Sequence, residues 1–177
     1  MGLVEEGDVA SEDDSGPVDL EMLVDLDAAL ARVPDAVPWA DRSENSVEFR
    51  DVREPNAPAG DTPRPPGVAE LYELCGSIDM ADVDNGWFVH PAHRAERDDE
   101  FIPRAILGRG SCFPLGSDGV GGWLVVDDDG AVLLLAEGVI SGNRYEPPDP
   151  DSVREIAGSI RGLVEFLIER ATAAGAT

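Results

Sequence analysis

The sequence contains no lysine. All thirteen basic residues are arginine, against 37 aspartate and glutamate residues, so the formal net charge is −24. Nucleic acids and anionic membranes are bound by basic side chains that displace counterions, so this surface would repel both, and we expect neither as a partner. Because opposite charges speed association, a basic protein is the expected partner. The alternative is that the acidity serves only solubility.

Other features are scarce or missing as well. No apolar run approaches the roughly 20 residues of a membrane span, and the first residues, MGLVEE, lack the basic and apolar regions of a secretory signal. The two cysteines, Cys75 and Cys112, are far apart in apolar segments, which predicts reduced, buried thiols. We therefore expect a cytoplasmic protein. Its hydrophobic share of 42% is sufficient for a folded core.

Charge and proline divide the chain into three segments. Residues 1–30 hold ten acidic residues and no basic one, which predicts an acidic disordered tail over 1–17. Five prolines lie within 54–66, so an N-terminal helix and a proline-rich connection are predicted over 18–65. The main domain is predicted over 66–172.

Apolar spacing predicts three helices. The first covers 18–33 and ends before two prolines. The second follows Pro65 and Pro66 and runs to Cys75, with Gly76 beyond its end. The third is an amphipathic C-terminal helix, for which Ser152 to Glu155 read as a capping box and an apolar stripe continues to Ala171.

Strands are predicted between these helices. A short strand falls within 43–51, and 78–83 and 87–90 form a hairpin around Asn85-Gly86. Further strands are predicted over 101–107, 112–115, 123–127 and 131–136, of which the last two are rich enough in apolar residues to be buried on both faces. The predicted fold is α+β, with an antiparallel or mixed sheet packed by helices.

The glycines around residue 120 do not form a phosphate-binding loop. Gly116, Gly119, Gly121 and Gly122 are followed by Trp123 rather than by Lys-Ser/Thr, and the lysine is what contacts the β- and γ-phosphates. Their spacing also differs from G-x-G-x-x-G, and a predicted strand, not a helix, comes next.

Metal sites are not predicted either. In an EF-hand alignment on Gly130, Asp127 and Asp129 fit, but Val125 and Ala136 occupy ligand positions. A hairpin turn is the better interpretation. His90 and His93 are three residues apart, but Pro91 prevents a helix that would aim both at one ion, and no third ligand is apparent. We predict no metal and no cofactor.

Evidence for catalysis is weak in the sequence. No serine stands in a G-x-S-x-G frame, and paired carboxylates carry no signal among 37 acidic residues. His90 or His93 as a general base stays open, and a small hydrolytic enzyme that uses His90, Asp118 and Asp127 is a remote alternative. The prediction is that the protein is not an enzyme.

The segment from Phe113 onward resembles the SUKH superfamily, which includes fungal cell-wall-synthesis regulators and bacterial toxin-immunity proteins. The resemblance rests on FPLGSDGVGGW, an apolar strand that ends in an aspartate, a glycine turn, a second apolar strand and a C-terminal amphipathic helix. The upstream helix ELYELCG and the strands around residues 78–90 also fit, so the match covers about 66–172. Its pattern residues here are Phe113, Gly116, Asp118, Gly119, Trp123 and Asp127.

The resemblance implies a compact α+β fold and protein binding. Bacterial members typically neutralise a toxin, often a nuclease, so an immunity protein that binds a basic toxin domain is the leading prediction. A regulatory or scaffold protein without a toxin partner is the alternative. Two pattern residues have structural interpretations of their own: Trp123 is favoured as a core anchor over an exposed interface residue, and Asp118 is favoured as a turn residue.

Overall fold

The computed structural model describes residues 16–50 and 64–176, and it confirms the predicted α+β class. The helices are α1 (Leu20–Leu30), α2 (Val33–Ala36), α3 (Val68–Leu74), α4 (Ala92–Ala95) and α5 (Ile160–Ala174). The strands are β1 (Asn45–Phe49), β2 (Cys75–Met80), β3 (Trp87–Val89), β4 (Ala105–Ile106), β5 (Gly110–Asp118), β6 (Trp123–Asp127), β7 (Val132–Leu135), β8 (Val139–Ser141), β9 (Arg144–Glu146) and β10 (Val153–Ala157). None of the described helices is long and apolar enough to cross a membrane.

The strands form one mixed sheet. Its main part runs β1-β2-β3-β5-β6-β7-β10, and every neighbouring pair in it is antiparallel. A second arm leaves β5 and continues β4-β9-β8, in which β4 and β9 are parallel. Short turns join β2 to β3, β4 to β5, β5 to β6, β6 to β7 and β8 to β9, which explains five of the antiparallel pairs, since parallel neighbours need a longer connection.

The main hydrophobic core lies between one face of the sheet and the helices. Leu23, Leu26 and Leu30 of α1 are fully buried there, together with Leu163 of α5 and Ile78 of β2. The spacing of these residues along each helix gives one apolar face, which explains why the helices pack on the sheet. α1 thus shares its core with residues of the predicted 66–172 domain.

A second, smaller core lies on the opposite face of β6 and β7. Val125 and Leu133 turn away from the helices and are covered by Ile106 of β4 and Tyr145 of β9. The Tyr145 hydroxyl donates to the carbonyl of Glu137 at 2.7 Å, which satisfies it at the edge of this core. β6 and β7 are therefore buried on both faces, as their sequence predicts.

The start of the C-terminal helix is predicted wrongly. Ser152 to Glu155 are not a capping box, because 153–157 form β10 and pair with β7. The cap is Ser159, whose hydroxyl accepts from the amide of Gly162 at 3.0 Å. Val153 buries in the second core, so a residue that fits the helical stripe is held by strand pairing instead.

Smaller differences occur elsewhere. The strand predicted over 101–107 is reduced to β4, β2 begins directly after α3, and β8 and β9 have no counterpart in the prediction. β4 and β9 lie 38 residues or more apart in sequence and pair through contacts that local patterns do not reveal. Residues 1–15 of the predicted 1–17 tail lie outside the described residues, and so do residues 51–63, which include most of the predicted proline-rich connection.

Candidate functional site

Part of the sheet has a face that none of the described helices covers. Ile78, Met80 and Val89 point into the helix-side core, so their neighbours along β2 and β3 point the other way. Strand register then aligns one row across five strands, in the order Ser46, Asp79, Phe88, Ser117 and Trp123. All five are partly exposed. Together with Glu48, Ser77 and His90, we call this row the outer face.

One end of the outer face is acidic. The Ser77 hydroxyl lies 3.1 Å from Glu48 Oε2 and 3.2 Å from Asp79 Oδ2. It has one proton, so it satisfies only one of the two carboxylates at a time. Within the described part of the chain, arginines pair with other acids, namely Asp19, Asp84, Glu96 and Glu165. Neither Glu48 nor Asp79 forms an ion pair with a described arginine, so both are available to pair with a cation from a partner.

The other end of the outer face is aromatic. Trp123 lies edge-on to His90, with ring centroids 6.5 Å apart and planes at 81°. His90 Nε2 is 3.1 Å from the Ser117 hydroxyl. Burial, with a smaller contribution from Arg94, lowers the pKa of His90 to about 4. The imidazole is therefore neutral at pH 7.

The Ser117–His90 pair resembles part of a catalytic dyad, but His90 is poorly suited to act as its general base. A general base works best when its pKa is close to the working pH, and the imidazole of His90 lies far below neutrality. Burial and Arg94 both disfavour the imidazolium that the buried carboxylate of a triad would stabilise. The arrangement suits a neutral hydrogen-bonding contact better than proton abstraction.

The residues of the hydrolase alternative are not brought together. Asp118 Oδ1 accepts from the amides of Val120 and Gly122 at 3.1 and 2.6 Å, within the β5–β6 turn. Asp127 Oδ1 accepts from Asp129 and Ala131 at 3.1 and 2.9 Å, within the β6–β7 turn. Each carboxylate thus closes its own turn, which confirms Asp118 as a turn residue and the 127–130 hairpin.

Three other pattern residues serve packing. Phe113 lies in the helix-side core. A Cβ atom on Gly116 would overlap the carbonyl oxygen of Phe88, and one on Gly119 would overlap that of Asn85. Only glycine allows β5 to approach β3 and its preceding turn this closely.

Trp123 lies at a boundary. It packs against the second core while its ring also contacts His90 on the outer face. It is therefore neither a fully buried anchor nor a freely exposed residue. Of the six pattern residues, it is the one whose side chain reaches the outer face.

The remaining histidine and the two cysteines are not among the outer-face residues. His93 is exposed on α4. Cys75 and Cys112 are free and buried, as predicted, and burial raises the pKa of each thiol to about 12. Within 16–50 and 64–176, no three histidine, cysteine or acidic residues are grouped as a metal site.

Sequence reasoning missed most of the outer face. Glu48, Ser77 and Phe88 belong to no quoted motif, and Ser117 lies within FPLGSDGVGGW without being one of its pattern residues. The four residues meet only through strand register. One signal was present: the alternation of Ile78, Asp79 and Met80 places the carboxylate on the face opposite the core.

Comparison with known proteins gives no match. No family model, no curated protein and no solved structure is significantly similar to this chain. The resemblance to the SUKH superfamily stays a prediction from the sequence.

Proposed function

We propose that this protein is a protein-binding module that neutralises a basic toxin domain by direct contact. The observation that carries the proposal is the outer face, on which carboxylates that form no ion pair with a described arginine adjoin partly exposed aromatic rings. Aromatic anchors surrounded by polar groups are typical of protein interfaces. The charge of −24 and the SUKH-like pattern support the same proposal.

Neutralisation follows from charge complementarity. A nuclease holds its substrate with arginine and lysine side chains that contact phosphate. Carboxylates presented by this protein would pair with those side chains and occupy the surface that the nucleic acid needs. The protein then acts by exclusion and performs no chemistry, which agrees with the low pKa of His90.

Purified protein tests this proposal against the catalytic domain of a toxin encoded beside its gene. We expect a 1:1 complex, loss of toxin activity on complex formation, and an affinity that falls steeply between about 50 and 500 mM salt. The control is a second buffer series in which the salt concentration stays constant and a neutral polymer is added in place of the extra salt. Binding that ignores salt, or a gene neighbourhood without any toxin, would count against the proposal and favour a scaffold role.

A further inference from the structure

We infer that the partner docks on the outer face and places an arginine-bearing extended segment across its five strands. This inference rests on the proposed function and names the surface and the chemistry of its occupant. The evidence is the register that aligns Asp79, Phe88 and Trp123 in one row.

The row has the length that a peptide segment needs. Neighbouring strands lie about 4.8 Å apart, so five strands span about 19 Å from Ser46 to Trp123. An extended segment covers this distance with about six residues. Phe88 occupies the centre of the row, where anchoring residues of an interface concentrate.

The chemistry favours arginine over lysine. Guanidinium binds carboxylates through two parallel hydrogen bonds and also stacks on aromatic rings, whereas ammonium is a compact, strongly hydrated charge. Asp79 stands directly opposite Phe88 in the register, so a carboxylate and an aromatic ring adjoin on the same face. The neutral His90 adds no positive charge to repel the ligand.

A competing surface lies on α1. Leu20 and Val24 are half exposed, one helical turn apart, and Glu21 and Asp25 flank them. This stripe would take an amphipathic basic helix rather than an extended segment. It lies on the helix side of the sheet, so the two surfaces are distinguishable by mapping.

The probe is a synthetic ten-residue peptide of alternating arginine and serine, with a lysine–serine peptide as its twin. Isotope-labelled protein is titrated with each at low salt, and binding is mapped by amide and indole NMR shifts. Phe88→Ala and Asp79→Asn are the test variants. Glu73→Gln on α3 is the matched control, because it removes one exposed charge on the helix side. Thermal unfolding verifies that each variant is folded.

We expect the largest shifts at residues 46–48, 77–79, 88–90, 117 and 123, and weaker binding of the lysine peptide. Each test variant should bind the arginine peptide about five- to tenfold more weakly, and the control should change affinity less than twofold. Shifts centred on α1, or equal losses in Asp79→Asn and Glu73→Gln, would overturn the docking surface and leave the basic-partner proposal standing. Binding of neither peptide would overturn both.

Discussion

Arg170 of α5 donates two hydrogen bonds to the carboxylate of Asp84 in the β2–β3 turn, of which the one from Nε to Oδ2 measures 2.7 Å. Asp84 has a φ of 57°, and its Oδ2 also accepts from the indole of Trp87 at 3.0 Å. Trp87 in turn lies edge-on to Phe166 at 5.1 Å. The C-terminal helix is thereby fixed to the hairpin that carries Phe88.

Asp84→Asn is expected to lower the free energy of unfolding by about 0.5–1 kcal/mol at pH 7 because the ion pair is partly exposed. Arg170 lowers the pKa of Asp84, so the pair stabilises the fold above the unfolded pKa of about 4 and loses that contribution as the pH falls through the lower folded pKa. Urea unfolding at pH 7 and pH 2.5 measures this. Glu169→Gln, an exposed neighbour on α5, is the control. An equal loss for Asp84→Asn at both pH values would exclude the ionic explanation.

Gly116→Ala is expected to cost more than about 3 kcal/mol, since the methyl group would overlap the backbone of Phe88 and β5 would have to separate from β3. Gly16→Ala is the control: its Cβ would lie 3.6 Å from the Arg161 side chain, in ordinary contact. Soluble yield and the thermal midpoint report the difference. If both variants had the same thermal midpoint, the close approach of β5 to β3 at Gly116 would be contradicted.

His90 is expected to make stability depend on pH. Its pKa is about 4 in the fold and about 6.5 when unfolded. The unfolded chain therefore binds more protons between these values, so the contribution is complete above pH 6.5 and is lost as the pH falls to 4. The effect is about 1 kcal/mol, since the ring is partly exposed.

The comparison of His90→Asn with the parent protein at pH 4.5 and 7 isolates this effect from other titrating groups. In His90→Asn, the free energy of unfolding should no longer show the difference between pH 4.5 and pH 7 that His90 contributes. His93→Asn, at an exposed position on α4, is the control. A pH dependence that survives His90→Asn unchanged would contradict the neutral, partly buried imidazole.

Ser159→Ala is expected to cost about 1 kcal/mol because the amide of Gly162 loses its cap. Glu155→Gln should cost almost nothing, since Glu155 is an exposed strand residue and caps no helix. Chemical unfolding of both variants distinguishes the observed helix start from the capping box that the sequence suggests. A larger loss of stability for Glu155→Gln than for Ser159→Ala would support the helix start at Ser152 that the sequence suggests.

Asp127→Ala is expected to cost about 1–2 kcal/mol, because two turn amides lose their acceptor. Asp128→Ala, at the exposed next position, should be nearly neutral. The thermal midpoint of the parent protein is expected to be the same with millimolar Ca²⁺ and with chelator. A rise of the thermal midpoint with Ca²⁺ that is absent in Asp127→Ala would show instead that the turn binds calcium.

Local patterns predict those parts of the fold that depend on local chemistry. The spacing of Leu23, Leu26 and Leu30 along α1, the Asn85-Gly86 turn and the apolar runs of β6 and β7 each indicate their element directly. Around Ser152 the same reasoning fails. Val153 and Ile156 satisfy the spacing of a helix, and only pairing with β7 decides that they form a strand.

The candidate site is harder to predict, because it depends on register. Asp79, Phe88 and Ser117 come from three strands with no shared motif, and a shift of one residue in any pairing would turn a side chain to the other face. The glycine-rich segment is visible in the sequence, but the sequence does not show which close backbone contacts its glycines allow. Gly116 shows no signal of the approach to Phe88 until the strands are placed.

The contact of Gly119 with Asn85 has a mechanical consequence. The amide of Gly119 donates to the carbonyl of Gly86 at 3.0 Å, so the turn before β3 and the turn after β5 are held together. Neither turn can open without displacing the other. A ligand approaching Phe88 and Ser117 thus meets a surface whose shape exists before the encounter, and association needs little loss of conformational entropy.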